Sequence, residues 1–207
     1  MKIILIFVLF ISSLHSLENF TDKTVDLFTK KYKRDKQVLV LWDKMIQKAS
    51  QAKTVHKLKI VNDFFNTVRY STDIRHWKKN DYWATPTEFV GTKAGDCEDY
   101  AIAKYFSLLK AGIPEAKLRI AYVKLLRRNT NYQEAHMVLL YFHKENSVPI
   151  VMDNVNKKLK LATKRADLKL IYSFNANGLW EAKNKGKSHV KRGSNKLKKW
   201  QTLMEKI

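Results

Sequence analysis

The chain has 207 residues, 45% of them hydrophobic and 12% aromatic, which suits one domain with a true core and excludes a disordered segment. Six glycines and three prolines in no repeating period exclude solenoid and fibrous classes. A net charge of +21 admits either attraction to a polyanion or a solvated, lysine-rich surface. The lysines are spread along the whole chain, which favours the surface reading, and no nucleic-acid partner is expected.

Residues 1–16 read MKIILIFVLFISSLHS. Lys2 is a minimal charged region, Ile3 to Ile11 an unbroken apolar run, and Ser12, Ser13 and Ser16 supply small residues before a cleavage point. The run is far shorter than the roughly 20 residues needed to span a bilayer. A cleaved export signal is therefore expected. The mature chain, 17–207, is read as a single domain with no transmembrane segment and a basic C-terminal segment, 183–207.

Three helical stretches follow. Phe20 to Lys33, Lys36 to Ala49 and Val55 to Tyr70 carry apolar residues at helical spacing, for example Val38, Leu41, Trp42, Met45 and Ile46. Such stripes are core faces. Arg75 to Ala94 has no sustained period and holds His76, Trp77, Tyr82, Trp83 and Pro86. Long aromatic connections in compact domains are often functional.

This connection leads into Gly95-Asp96-Cys97-Glu98-Asp99-Tyr100, which contains the chain's single cysteine. From Cys97 the pattern is helical until Gly112 and Pro114 stop it. Asp96 suits the N-cap, Asp99 sits three residues on, and Cys97 falls at the first helical position. Strand-like runs follow at Leu118–Leu126, Ala135–Phe142 and Val148–Asp153, with a fourth at Leu168–Phe174. Asn195–Ile207 reads as a short amphipathic helix. The order predicts an α+β fold with a cysteine-headed helix packed on an antiparallel sheet.

An unpaired cysteine in an exported chain is a candidate reactive thiol. The alternative, a small buried hydrophobe, fits poorly beside three carboxyl groups. A helix N-terminus favours the thiolate, and an imidazole favours it more. His136 lies inside an apolar strand, where its ring requires a partner. Asp153 ends the next strand. Antiparallel pairing would set the two side by side, giving a Cys97-His136-Asp153 triad.

The acids oppose this chemistry. One negative charge about 6 Å from the thiolate costs about 2.8 kcal/mol at an effective dielectric near 20. That exceeds the contribution of a helix terminus, about 0.3–2 kcal/mol. Two readings stand open on the residues alone. A bound Ca²⁺ could gather the carboxylates and reverse the local field, or the acids could cap the helix and meet nearby Lys or Arg.

Several ordered blocks resemble one family. Asp81-Tyr82-Trp83-Ala84-Thr85-Pro86, then Gly95 to Tyr105, Ala135-His136-Met137-Val138-Leu139, Asp153-Asn154, Tyr172-Ser173-Phe174-Asn175 and Gly178-Leu179-Trp180 are similar to LapG-type bacterial transglutaminase-like cysteine proteases. The similarity runs from about Trp77 to Trp180, and Trp200-Gln201 resembles the family's C-terminus. Cys97 and His136 stand 39 residues apart, and His136 and Asp153 17 apart, close to the family's pattern. The polar stretch Arg127 to Glu134 and the lysine-rich Lys183 to Lys199 depart from it.

The resemblance implies a papain/transglutaminase-like core and a periplasmic, calcium-dependent endopeptidase. Its substrate would be the N-terminal region of a large surface adhesin, whose cleavage releases biofilm cells. An inner-membrane receptor for cyclic-di-GMP would sequester it. Carried over by position, Cys97 is the nucleophile, His136 the general base and acid, and Asp153 its orienting partner, with Asp96 and Glu98 as calcium ligands. Oxyanion donors are expected from the start of the Cys97 helix and the Tyr82–Trp83 loop. The rivals are an acyl transferase or amidase using the same triad, and a non-catalytic module binding through its basic surface.

Overall fold

The computed structural model describes residues 20–32, 36–127, 130–182, 189–192 (backbone only) and 198–207. The expected export signal and most of the basic segment from 183 to 197 lie outside the described residues.

Among the described residues, seven helices and nine strands follow in order. Helices α1 (Asp22–Tyr32), α2 (Gln37–Ser50) and α3 (Thr54–Phe65) precede strand β1 (Arg69–Tyr70). Then come α4 (Asp73–His76), α5 (Pro86–Thr92), β2 (Ala94–Gly95) and the central α6 (Cys97–Lys110). The main sheet follows with β3 (Leu118–Leu126), β4 (Gln133–Tyr141), β5 (Ile150–Met152), β6 (Lys160–Leu161), β7 (Leu168–Asn175), β8 (Gly178–Ala182) and β9 (His189–Arg192). Helix α7 (Lys198–Met204) closes the chain.

The main sheet has seven strands in the order β6-β5-β4-β3-β7-β8-β9, every pair antiparallel. Helices α2, α3 and α5 surround α6, which packs on β4 and β3. Most of α6 is buried, including Tyr100, Ala101, Ile102, Ala103, Tyr105 and Leu108. The burial runs round most of the helix, as in the middle of a fold, and encloses Glu98, Asp99, Lys104 and Ser107 as well. It ends on Gly112 at φ 83, where Ile113 N–H reaches Leu108 O and Gly112 N–H reaches Leu109 O, both at 2.9 Å. This is the doubly bonded left-handed stop that glycine makes cheap.

Trp42 anchors the helical layer, its Nε1 donating to Ser107 Oγ at 2.9 Å. Trp200 docks α7 by stacking on Phe106 and meeting Tyr105 and Phe174 edge-on. A second apolar cluster of Val123, Val138, Leu140, Phe142 and Val151 lies apart from this helix-side core, flanked by Leu168 and Leu170. Sheet burial on both sides explains why β3 and β4 read as apolar runs rather than strict alternation.

Four expectations shift. The third helix stops at Phe65, because Asn66 caps it and Arg69–Tyr70 leave as a strand. The aperiodic connection holds the end of the short helix α4, which starts at Asp73, and the whole of α5. Strand β5 ends at Met152, so Asp153 lies just beyond it. Within the expected last helix, Lys198–Met204 is helical, while 195–197 lie outside the described residues.

Candidate active site

Helix α6 starts at Cys97, placing the thiol in the first turn among backbone N–H groups. The start is held by Asp99. Its Oδ2 accepts the Asp96 N–H at 3.3 Å, and its Oδ1 accepts the Ala84 N–H at 2.8 Å. One buried carboxylate thus caps the helix and ties it to the aromatic loop. The strands β1 and β2 pair in parallel, Tyr70 against Gly95, and set Tyr70 beside the motif. Of β4, strand β5 pairs with Leu139–Tyr141, and its other edge pairs with β6. Further along β4, the backbone N–H of Met137, the residue after His136, favours the Cys97 thiolate against the opposing effect of burial.

His136 and Asp153 are both buried, and His136 Nε2 lies 2.8 Å from Asp153 Oδ1. This contact leaves Nδ1 as the ring's second nitrogen. Asp153 Oδ1 also accepts the Val155 N–H at 2.9 Å, and its Oδ2 accepts from Arg165 at 2.7 Å. Arg165 is itself buried and braced by Asp167, whose Oδ1 and Oδ2 it meets at 2.8 and 2.7 Å. Burial alone would raise the Asp153 carboxyl. The hydrogen bond and charge of His136, with Val155 and Arg165, overcome it and hold the group well below the usual carboxylate range. Asp153 is therefore a fixed anion that orients the imidazole.

The acids form one cluster. Ligand-type atoms of Asp96, Cys97 and Glu98 lie within 4.8 Å of one another, as do those of Asp73, Asp96 and Asp99, and of Asp73, Asp81 and Glu98. Burial, then the neighbouring Glu98, pushes the Asp96 carboxyl up to about 10, and burial raises Asp73 to about 6. The thiol donates to Glu98 Oε2 at 3.1 Å. Burial, then Glu98 and Asp96, pushes Cys97 well above the ordinary thiol range. Without a counter-charge, this cluster holds the thiol protonated.

Residues 27–188 match the model of the bacterial transglutaminase-like cysteine proteinases. The chain belongs to this family. Legionella pneumophila LapG, EGTA-treated, is 36% identical with a TM-score of 0.75, over 88% of this chain and 96% of that one. The calcium-bound form of Legionella pneumophila LapG is 37% identical with a TM-score of 0.71, over 88% and 98%. A further structure of Legionella pneumophila LapG gives 36% identity and a TM-score of 0.73. No curated protein sequence matches the chain. The α+β, transglutaminase-like fold expected from the sequence is the fold found.

The family's chemistry needs a thiol, a base and a charge balance, and the acidic cluster bears on the third. Asp73 Oδ1 and Asp96 Oδ1 are buried with no hydrogen-bond partner among the described residues. Buried orphan oxygens in an all-carboxylate cluster suit a hard cation that takes oxygen ligands. The residues able to hold it are Asp73, Asp81, Asp96 and Glu98.

The structure brings the sequence-predicted residues to two adjoining places, Asp96, Cys97 and Glu98 at the start of α6, and His136 with Asp153 beside β4. Sequence reasoning missed Asp73, Asp81 and Arg165. The two aspartates flank an aromatic loop leading to the motif, which was the available signal. Arg165 carries none, being one of 40 basic residues. In the Tyr82–Trp83 loop, the Tyr82 hydroxyl donates to Glu88 and the Trp83 indole to Asp81. Both side-chain donors are already engaged, Tyr82 by α5 and Trp83 within the loop, which leaves backbone N–H groups as the oxyanion candidates.

Proposed function

We propose that the protein is a periplasmic, calcium-dependent cysteine endopeptidase that cleaves the N-terminal region of a large surface adhesin and so controls biofilm release. The observation that carries the chemistry is the buried His136 Nε2–Asp153 Oδ1 contact at 2.8 Å, with Cys97 heading α6 and its thiolate favoured by the backbone N–H of Met137, the residue after His136. Family membership supports the protease class, and the calcium-bound relative supports the cation.

In this reading the Cys97 thiolate attacks the scissile carbonyl carbon, forming an S–C bond while the carbonyl electrons move to oxygen. Backbone N–H groups at the start of α6 stabilise that oxyanion. The tetrahedral species collapses, the C–N bond breaks, and His136 gives its proton to the leaving amine. His136 then takes a proton from water, whose oxygen attacks the thioester and returns the sulfur as thiolate. Asp153 keeps the imidazole oriented and its cationic form stable throughout. Asp73, Asp81, Asp96 and Glu98 would hold a calcium ion, which would supply positive charge to offset the carboxylates around the thiol. An inner-membrane cyclic-di-GMP receptor is the proposed inhibitor, binding the enzyme and withholding it from the adhesin.

The test incubates the protein with adhesin N-terminal polypeptides in calcium and in excess chelator. Cleavage in calcium that stops in chelator is expected. Chelator-resistant cleavage would remove the cation from the account. Transfer of a labelled amine to a glutamine peptide, without cleavage, would replace the protease by a transferase.

A further inference from the structure

Lys104 is completely buried, an unusual place for an ammonium. It follows Cys97 by seven residues, about two turns of α6, and so shares its helix face. Its Nζ donates to Asn66 Oδ1 at 2.9 Å. Asn66 is the C-cap of α3, and its Nδ2 donates to the backbone carbonyl of Asp153 at 3.0 Å. The Asn66 carbonyl in turn accepts Lys157 Nζ at 2.9 Å. One asparagine therefore joins α3, α6 and the turn after β5 that carries Asp153.

The charged groups facing Lys104 are Asp153, Asp63 and Lys157, with the Tyr100 ring 5.8 Å away. Burial pulls the Lys104 ammonium down to about 7, while the charges of Asp153 and Asp63 oppose that fall. An apolar side chain would fill the same place without this desolvation cost.

We propose that Lys104 is a positioning residue for the reaction: through Asn66 it fixes the Asp153 backbone, and through Asp153 the His136 ring. Arg165 holds the Asp153 carboxylate from the side chain, and the Lys104–Asn66 pair holds the same residue from the main chain. Both ends must be fixed for a bond of 2.8 Å to orient the imidazole toward Cys97. The pair rests on the catalytic reading given above, touches no substrate, and acts only through Asp153.

The test compares wild type with Lys104→Met and with Asn66→Asp, which keeps an acceptor for Lys104 but replaces the donor to Asp153. Iodoacetamide alkylation of Cys97 in calcium is followed against pH, beside adhesin cleavage and thermal melting. A thiolate–imidazolium pair keeps Cys97 reactive on the acid side of an ordinary thiol, whose pKa is about 8.5. Both variants are expected to lose that acid-side reactivity. Their kcat should fall by about tenfold or more, since small misplacements are costly, with KM held within about twofold. A folded Lys104→Met with wild-type kcat and alkylation profile overturns the proposal. Where Lys104→Met does not melt cooperatively, an unchanged profile in Asn66→Asp overturns it equally. Wild type lacking acid-side reactivity overturns the Cys97–His136 reading, and this proposal with it.

Discussion

Asp153 shows how one residue's setting decides its chemistry. It is buried between His136 and Arg165, and each oxygen has a named donor. Removing the guanidinium leaves a buried anion short of a partner. Arg165→Met is expected to destabilise the fold by about 3–5 kcal/mol, read by urea unfolding. A loss below about 1 kcal/mol would show that the pair is not a structural anchor. The acids near Cys97 have the opposite sign. Burial raises the folded Asp73 carboxyl to about 6, above its ordinary 3.8. Between those values the folded chain holds a proton that the unfolded chain has released, so stability falls as pH rises. Asp73→Asn should stabilise the calcium-free protein, and by more at about pH 7 than at about pH 5, in melts run with chelator. An equal gain at both would refute the buried-carboxylate account. The Asp153 carboxyl is depressed instead; its contribution is lost only as pH falls below the ordinary carboxylate range. In the sequence Cys97 stood out as a lone thiol and His136 as an imidazole in an apolar strand, while Asp153, a common type, was reached through the expected strand pairing and the family resemblance. Asp73, Asp81 and Arg165 belong to common types and act only through their places in the fold.

At the scale of the element, the start of α6 sets the site. A Cβ on Gly95 would lie 2.3 Å from Asp99 Oδ2 and 2.7 Å from Phe89 Cδ2. Gly95→Ala must displace the carboxylate that caps α6 and holds the Ala84 N–H. It is expected to cost about 1–3 kcal/mol in urea unfolding and to lower cleavage more than the lost stability explains. Wild-type stability and cleavage in this variant would contradict the capping role. Helix α6 was legible from its cap, its period and its glycine stop. Helix α5 was not, because seven residues are too few to establish a period. Its Thr85-Pro86-Thr87-Glu88 start does carry a capping box with proline in the first turn, a signal lying within the aromatic stretch.

Across the whole molecule, the strand order placed what the linear sequence could not. Strand β7 pairs with β3, and the turn after β5 reaches back to α3 through Asn66. Neither contact leaves a local pattern, since both join residues far apart in the chain. The fold class was readable from helices followed by strands, but the bracing of Asp153 was not. Because the acidic cluster destabilises the charged, cation-free fold, calcium binding should raise its stability. At about 100 times its dissociation constant the gain is about 2.7 kcal/mol, visible as an upward shift in thermal melting. No shift in wild type would argue against the site. Among the described residues no helix is long and apolar enough to cross a membrane.

The central claim is that Cys97, activated by His136, breaks a peptide bond. The most direct measurement is the rate of adhesin cleavage in calcium by wild type, Cys97→Ala and His136→Ala, each shown to melt cooperatively. The account predicts cleavage by wild type, with both variants slower by at least about a thousandfold. Cleavage by Cys97→Ala at the wild-type rate would contradict it.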